Sequence, residues 1–168
     1  SYETAMRLDP TQTPPYVNAS MVYARQGNNG EAEALLRKAL EADPESAEAN
    51  FNLGLLVAET GDRKEAVALL RRALKADPNL AQAAYNLAVL VSEDDPTEAI
   101  RRCRQATKAR PDNPRYAYTL AFYLHKLGHT DAAIEELRRI TAQKPAEADV
   151  YAMLGSLYEQ QERWDRAT

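Results

Sequence analysis

Cysteine is almost absent: Cys103 is the only one in 168 residues, so neither an intrachain disulfide nor a cysteine-based metal knuckle can form. Glycine is scarce, six residues against thirty alanines, a balance that favours tightly packed helices and leaves few strand candidates. Excess positive charge is missing too. Lys plus Arg number 21 and Asp plus Glu 25, a formal −4, which offers no electrostatic footprint for nucleic-acid phosphates, and no nucleic-acid partner is expected. Uncharged apolar runs are only a few residues long, so no segment reads as a bilayer-spanning helix and no membrane insertion is expected. No nucleophile, base and orienting group fall together in a catalytic signature, so the chain does not read as an enzyme and no cofactor is implied. No feature selects a compartment. What is present is globular composition, 45% hydrophobic and 27% charged, enough to bury a core.

The organising feature is a period. Pro10, Pro44, Pro78, Pro111 and Pro145 are 34, 34, 33 and 34 residues apart. Each can stop a helix, because proline has no N–H to donate and pushes its predecessor out of the α region. Ser20, Gly54, Ala88, Ala121 and Gly155 keep the spacing with small side chains, which signals close helix contact. Ala32, Ala66, Ala99, Ala133 and Ala167 form a third track. The missing residue lies between Ala88 and Ala99, where Asp94-Asp95-Pro96 stands in place of Gly61 and Gly128.

Each period reads as two helices. Ala32, Leu35, Leu36, Ala39 and Leu40 fall at i, i+3, i+4, i+7 and i+8, and Ala66, Leu69, Leu70, Ala73 and Leu74 repeat that stripe. First helices are expected from about Ala47 to Thr60 and from about Ala81 to Ser92, with Gly27, Gly61 and Gly128 as left-handed C-terminal caps. A single hairpin cannot bury both of its apolar faces, so stacking neighbours into a solenoid is the physical solution.

Leu53-Gly54, Val57, Gly61, Ala66, Leu70, Ala73 and Pro78 together resemble the tetratricopeptide repeat (TPR), over the whole chain. The resemblance implies an all-α, right-handed α-solenoid in a single domain. Residues 1–12 would be the second helix of a partial leading repeat. Residues 13–46, 47–80, 81–113 and 114–147 would be repeats 1 to 4, and 148–168 a fifth repeat cut off in its second helix. Tyr16 and Tyr151 stand where the family prefers Trp, and Ile140 replaces a small Ala, which would widen one helix contact. Both ends fall inside a repeat and neither reads as a polar cap. That points either to a segment of a longer protein or to end helices that pack on another copy as a homo-oligomer.

The resemblance further implies that the first helices line a concave groove that binds a protein or peptide partner. The sixth place of successive repeats holds Asn18, Asn52, Asn86 and then Thr119. A primary amide carries both donors and an acceptor, so it can meet the C=O and N–H of an extended peptide without reading its side chains. Similar asparagine ladders in TPR superhelices, including those fused to O-GlcNAc transferases, hold peptide backbones. The fifth place carries Val17, Phe51, Tyr85, Tyr118 and Ala152, with Phe122 one turn beyond Tyr118. Aromatics give large contact area at low entropic cost, but Phe51 and Tyr85 fit packing against a neighbouring helix equally well. Glu48, Glu59 and Glu93 line the earlier repeats and Arg115, His125 and Lys126 the fourth, a polarity that would orient a ligand with an acidic portion. The TPR clamp that grips chaperone C-terminal carboxylates with two Lys, two Asn and an Arg is not expected. Its places hold Val17, Met21, Asn52, Gln82 and Asn86, one match in five.

Other signals read as structural. Cys103 falls in the apolar stripe of a second helix and reads as a small buried hydrophobe. His125 and His129 have the i, i+4 spacing of a metal pair, but Gly128 should end the helix between them, so no metal site is expected. Arg101, Arg102, Arg104, Lys108 and Arg110 form a basic strip that the family would place on the convex face. Asn18-Ala19-Ser20 matches a glycosylation sequon inside an expected helix. The functional expectation is a non-catalytic interaction module. Its rivals are a self-assembling scaffold and the substrate-recruiting part of a larger enzyme.

Overall fold

The computed structural model of the chain describes residues 13–143 and 148–167, with side chains for 13–142 and 148–161. The expected leading helix and the tracks through Pro10 and Pro145 lie outside the described residues. The rest is an all-α solenoid of helical repeats, nine helices with no strand among the described residues. The helices are α1 (Thr13–Arg25), α2 (Asn29–Ala42), α3 (Ala47–Thr60), α4 (Arg63–Ala76), α5 (Ala81–Val91), α6 (Pro96–Ala109), α7 (Pro114–Lys126), α8 (Thr130–Gln143) and α9 (Ala148–Ala167). Two compact units divide the chain, Ser1–Leu90 and Val91–Thr168. The division falls at the end of α5, just before the shortened turn.

Local chemistry sets the helix ends. Gly27, Gly61 and Gly128 adopt φ of +80°, +95° and +81°, the left-handed region that side chains rarely enter. After each of them the next amide reaches back five residues: Asn28 to the Tyr23 carbonyl, Asp62 to Val57 and His129 to Leu124, closing the helix on its own orphan carbonyls. Asp43, Asp77 and Arg110, each followed by a proline, leave the α region with φ between −128° and −139°. Helices α3, α4 and α6 start on side-chain caps. Ser46 accepts from the Ala49 amide, Asp62 from Glu65, and Asp95 from Glu98.

In the first unit the core is the stripe foreseen in the sequence. Ala32, Leu36 and Ala39 of α2 and Ala66 and Leu69 of α4 close over Leu53, Leu56 and Val57 of α3, with Val17 of α1 beside them. Leu35 and Leu40 of the first stripe are only half-buried. Gly54 sits against Leu70 so closely that an added Cβ would lie 3.2 Å from Leu70 Cγ. Two cationic ties run along this unit: Arg37 of α2 reaches Glu33 at 2.7 Å and Glu65 of α4 at 2.9 Å, and Arg63 Nε of α4 donates to the Leu90 carbonyl of α5 at 2.7 Å.

In the second unit Ala99, Cys103 and Ala106 of α6 and Ala133, Leu137 and Ile140 of α8 are buried, as are Leu120, Ala121 and Leu124 of α7. Glu98 of α6 is buried as well, held by Arg101 at 3.3 Å and Arg102 at 3.2 Å. Residues 148–167, where a fifth repeat cut off in its second helix was expected, form the single helix α9. No helix among the described residues is long and apolar enough to cross a membrane.

Candidate functional site

The three asparagines occupy one register place on α1, α3 and α5 of the first unit. Each is flanked by inward-facing residues: Val17 and Ala19 around Asn18, Phe51 and Leu53 around Asn52, Tyr85 and Leu87 around Asn86. All of these neighbours but the half-buried Tyr85 are buried, while of the amides Asn18 is exposed and the other two are half-buried. Helices α1 and α3 touch directly. The Arg63 to Leu90 bond holds α5 in the same unit.

These side chains are not loose. Asn52 Nδ2 donates to the Glu48 carbonyl at 2.9 Å, and Asn86 Nδ2 donates to the Gln82 carbonyl at 2.8 Å. Thr119 on α7 of the second unit does the same with its hydroxyl, to the Arg115 carbonyl at 2.8 Å. Each spends one donor on its own helix, four residues back. For the amides this leaves Oδ1 and one N–H free, so donor and acceptor remain but in a fixed orientation.

At the fifth place Phe51, a candidate for the groove and equally for packing, is only 8% exposed and belongs to the core, as Val17 does one repeat earlier. Burial at that place falls away along the chain: Tyr85 and Tyr118 are half-buried and Ala152 is exposed.

In the second unit Tyr118, Phe122 and His125 of α7 come together. With Asp149, Met153 and Ser156 of α9 they line a cleft of about 250 Å³. Phe122 is 46% exposed and meets Tyr123 edge-on, with ring centroids 5.5 Å apart. His125 Nδ1 lies 3.2 Å from the Thr130 hydroxyl, which fixes the ring at the cleft's edge. Asp149, which belongs to the repeat after the one carrying the basic residues, puts a carboxylate in a wall expected to be basic. Arg115 and Lys126 are exposed on α7 and do not line this cleft. Glu48, Glu59 and Glu93 are all exposed.

The remaining signals fall apart spatially or turn inward. His129 lines a different cleft from His125, with Gly128 breaking the helix between them. Cys103 is fully buried, and burial pushes its thiol pKa up to about 12, which removes the nucleophilic thiolate at neutral pH. In the sequon, Ser20 is buried and its hydroxyl donates to the Val17 carbonyl at 2.7 Å.

Family models of the tetratricopeptide repeat match residues 18–81 and 58–112, and a second such model matches residues 90–157. No curated protein matches the chain. Among solved structures it is similar to YrrB, described as a TPR protein with an unusual peptide-binding site. That match has 23% identity and a TM-score of 0.83, and covers 96% of this chain and 84% of that one. It is similar also to MamA of Desulfovibrio magneticus RS-1, at 22% identity and a TM-score of 0.74, over 89% of this chain and 85% of that one. PilF of Pseudomonas aeruginosa matches at 25% identity and a TM-score of 0.74, over 89% of this chain and 69% of that one.

Proposed function

Starting from the fact that this chain belongs to the tetratricopeptide-repeat family, a protein-interaction fold that is generally non-enzymatic, we propose that its first helices receive an extended segment of a partner protein. In this reading Asn18, Asn52 and Asn86 hold the partner's backbone. Tyr85, Thr119, Arg115 and Lys126 contact it along the way, and Tyr118, Phe122 and His125 take one of its side chains.

The observation that carries the reading is the shared geometry of Asn52 and Asn86, each tied to its own helix through Nδ2. A tethered amide loses little freedom on binding, and pre-ordered polar groups at regular spacing suit a repeating backbone. The similarity to YrrB, a TPR protein with an unusual peptide-binding site, supports the same reading, as does a cleft walled by Tyr118 and Phe122. The test is a titration of a partner peptide into Asn52→Ala/Asn86→Ala. Affinity should fall while helicity is unchanged, and equal affinity would remove the ladder from the mechanism.

A second reading, self-assembly as a scaffold, has its own observation. Tyr151 and Tyr158 on α9 are 49% and 40% exposed, whereas the same places on α3, Asn50 and Val57, are buried. A second copy could cover that stripe. Light scattering over a concentration series separates the two, since a monomer favours the peptide groove and a defined oligomer the scaffold.

A further inference from the structure

The basic helix α6 borders open space that the peptide-groove reading leaves unused. Two adjoining clefts, of about 630 Å³ and 370 Å³, run along it on the second-helix side of the second unit, sharing Arg104 and Leu124. Both are larger than the cleft beside Phe122. The floor is apolar: Leu120 and Leu124 of α7 show only their edges, and Leu127, 41% exposed, extends it. Along α6 the lining runs from Thr97 to Lys108, a rise of about 16 Å at 1.5 Å per residue.

The charge of this trough is lopsided. Helix α6 carries four cations and a single carboxylate, in a chain whose formal charge is −4. That carboxylate, Glu98, is already held by Arg101 and Arg102. On the opposite wall Glu136 is held by Arg139 at 2.6 Å, and Arg139 also donates to the Pro111 carbonyl. What is left is Arg104 and Lys108, one turn apart, exposed, and with no side-chain partner among the described residues. Like charges at i, i+4 repel, so an anionic group between them is favoured twice, by attraction to each and by relief of their repulsion. Glu135, exposed on the far wall, repels a carboxylate there and directs it to the α6 side.

We infer that the trough between α6 and α8 is a second docking surface, built for an acidic segment of a partner protein that lays apolar side chains on Leu127 and the edges of Leu120 and Leu124 and carboxylates on Arg104 and Lys108. The apolar floor separates this from a plain anion-attracting face, because a polyphosphate chain has nothing to set on it. The segment that fits is short, about three helical turns long, with one acidic edge.

A display library of random peptides about 14 residues long, panned on the folded protein with counter-selection on Arg104→Glu/Lys108→Glu, tests this. Enriched clones should combine Asp or Glu with Leu or Ile. A synthesised clone should bind the double variant at least about tenfold more weakly, bind Asn52→Ala/Asn86→Ala as well as wild type, and weaken as salt rises. Circular dichroism of both variants should match wild type, since both pairs are on the surface. A panel without acidic bias, or clones that bind Arg104→Glu/Lys108→Glu unchanged, overturns the proposal. So does equal, Arg104-dependent binding of a single-stranded oligothymidine or of phosphatidylserine vesicles, which would make the trough a general polyanion face. Loss of binding in Asn52→Ala/Asn86→Ala alone places the peptide on the ladder and likewise overturns it.

Discussion

Asn50 Nδ2 donates to the Pro44 carbonyl at 3.0 Å, a bond from a fully buried residue of α3 back across the turn from α2. The same nitrogen donates to the Ser46 carbonyl at 2.9 Å, while Oδ1 is buried without a partner. Repeats 3 and 4 hold Ala84 and Ala117 at this place, both fully buried, so an alanine fits sterically. Asn50→Ala loses both bonds but also removes the orphaned oxygen and frees an exposed carbonyl to find water. The expected net loss is about 1 kcal/mol of stability, seen as a lower urea midpoint with an unchanged slope. An unmoved midpoint would mean that the orphan already cancels the two bonds.

The contact between Gly54 and Leu70 sets opposite limits on size. Leu70 is fully buried, and Leu70→Ala should cost about 2 to 5 kcal/mol through the cavity it leaves. Gly54→Val should cost about 1 to 3 kcal/mol by overpacking, since even one added carbon meets Leu69 Cβ at 3.3 Å and Leu70 at 3.2 Å. Thermal unfolding of the two variants measures both. A Leu70→Ala protein as stable as wild type would disprove the helix register.

Cys103 gives a pH signature. Its thiol is raised from 9.0 to about 12 by burial, so the unfolded chain loses the proton first as pH rises. Between those values the native state binds more protons, and unfolding becomes more favourable with increasing pH. The contribution is complete below about pH 9 and declines above it. Cys103→Ala should therefore flatten the alkaline fall in stability measured by urea titration. Native-state labelling with an aromatic disulfide reagent should be slow at pH 8 and become fast in denaturant. Rapid labelling of the folded protein would place the thiol at the surface.

Much of the fold could be read from spacing alone. Gly27, Gly61 and Gly128 took the left-handed turns expected of them, α3 spans the residues foreseen for it, and the stripe from Ala66 to Leu74 is buried throughout. Such features follow from local rules, a proline without an N–H or an apolar residue every three or four places. The site was only half legible. Register put the asparagines at one place on their helices, but not the bond each makes to its own backbone, because Nδ2 can turn either way until the helix exists. Phe51 stayed open between groove and core because exposure depends on what lies across from a side chain, and ring chemistry says nothing of that. The clefts beside α6 were invisible for the same reason: Arg104 and Lys108 read as a solvated strip until Leu120 and Leu124 of another helix appeared beneath them.

The self-tethering of Asn52 and Asn86 has a consequence for discrimination. A hook already latched to its own post cannot swivel to suit each visitor. A strand lying along these helices would have to match their pitch, and a wrong interval between its peptide groups could not be forgiven by rotation. A face of this kind would sort its guests by cadence, tolerating many side-chain sequences while rejecting a chain that coils or kinks.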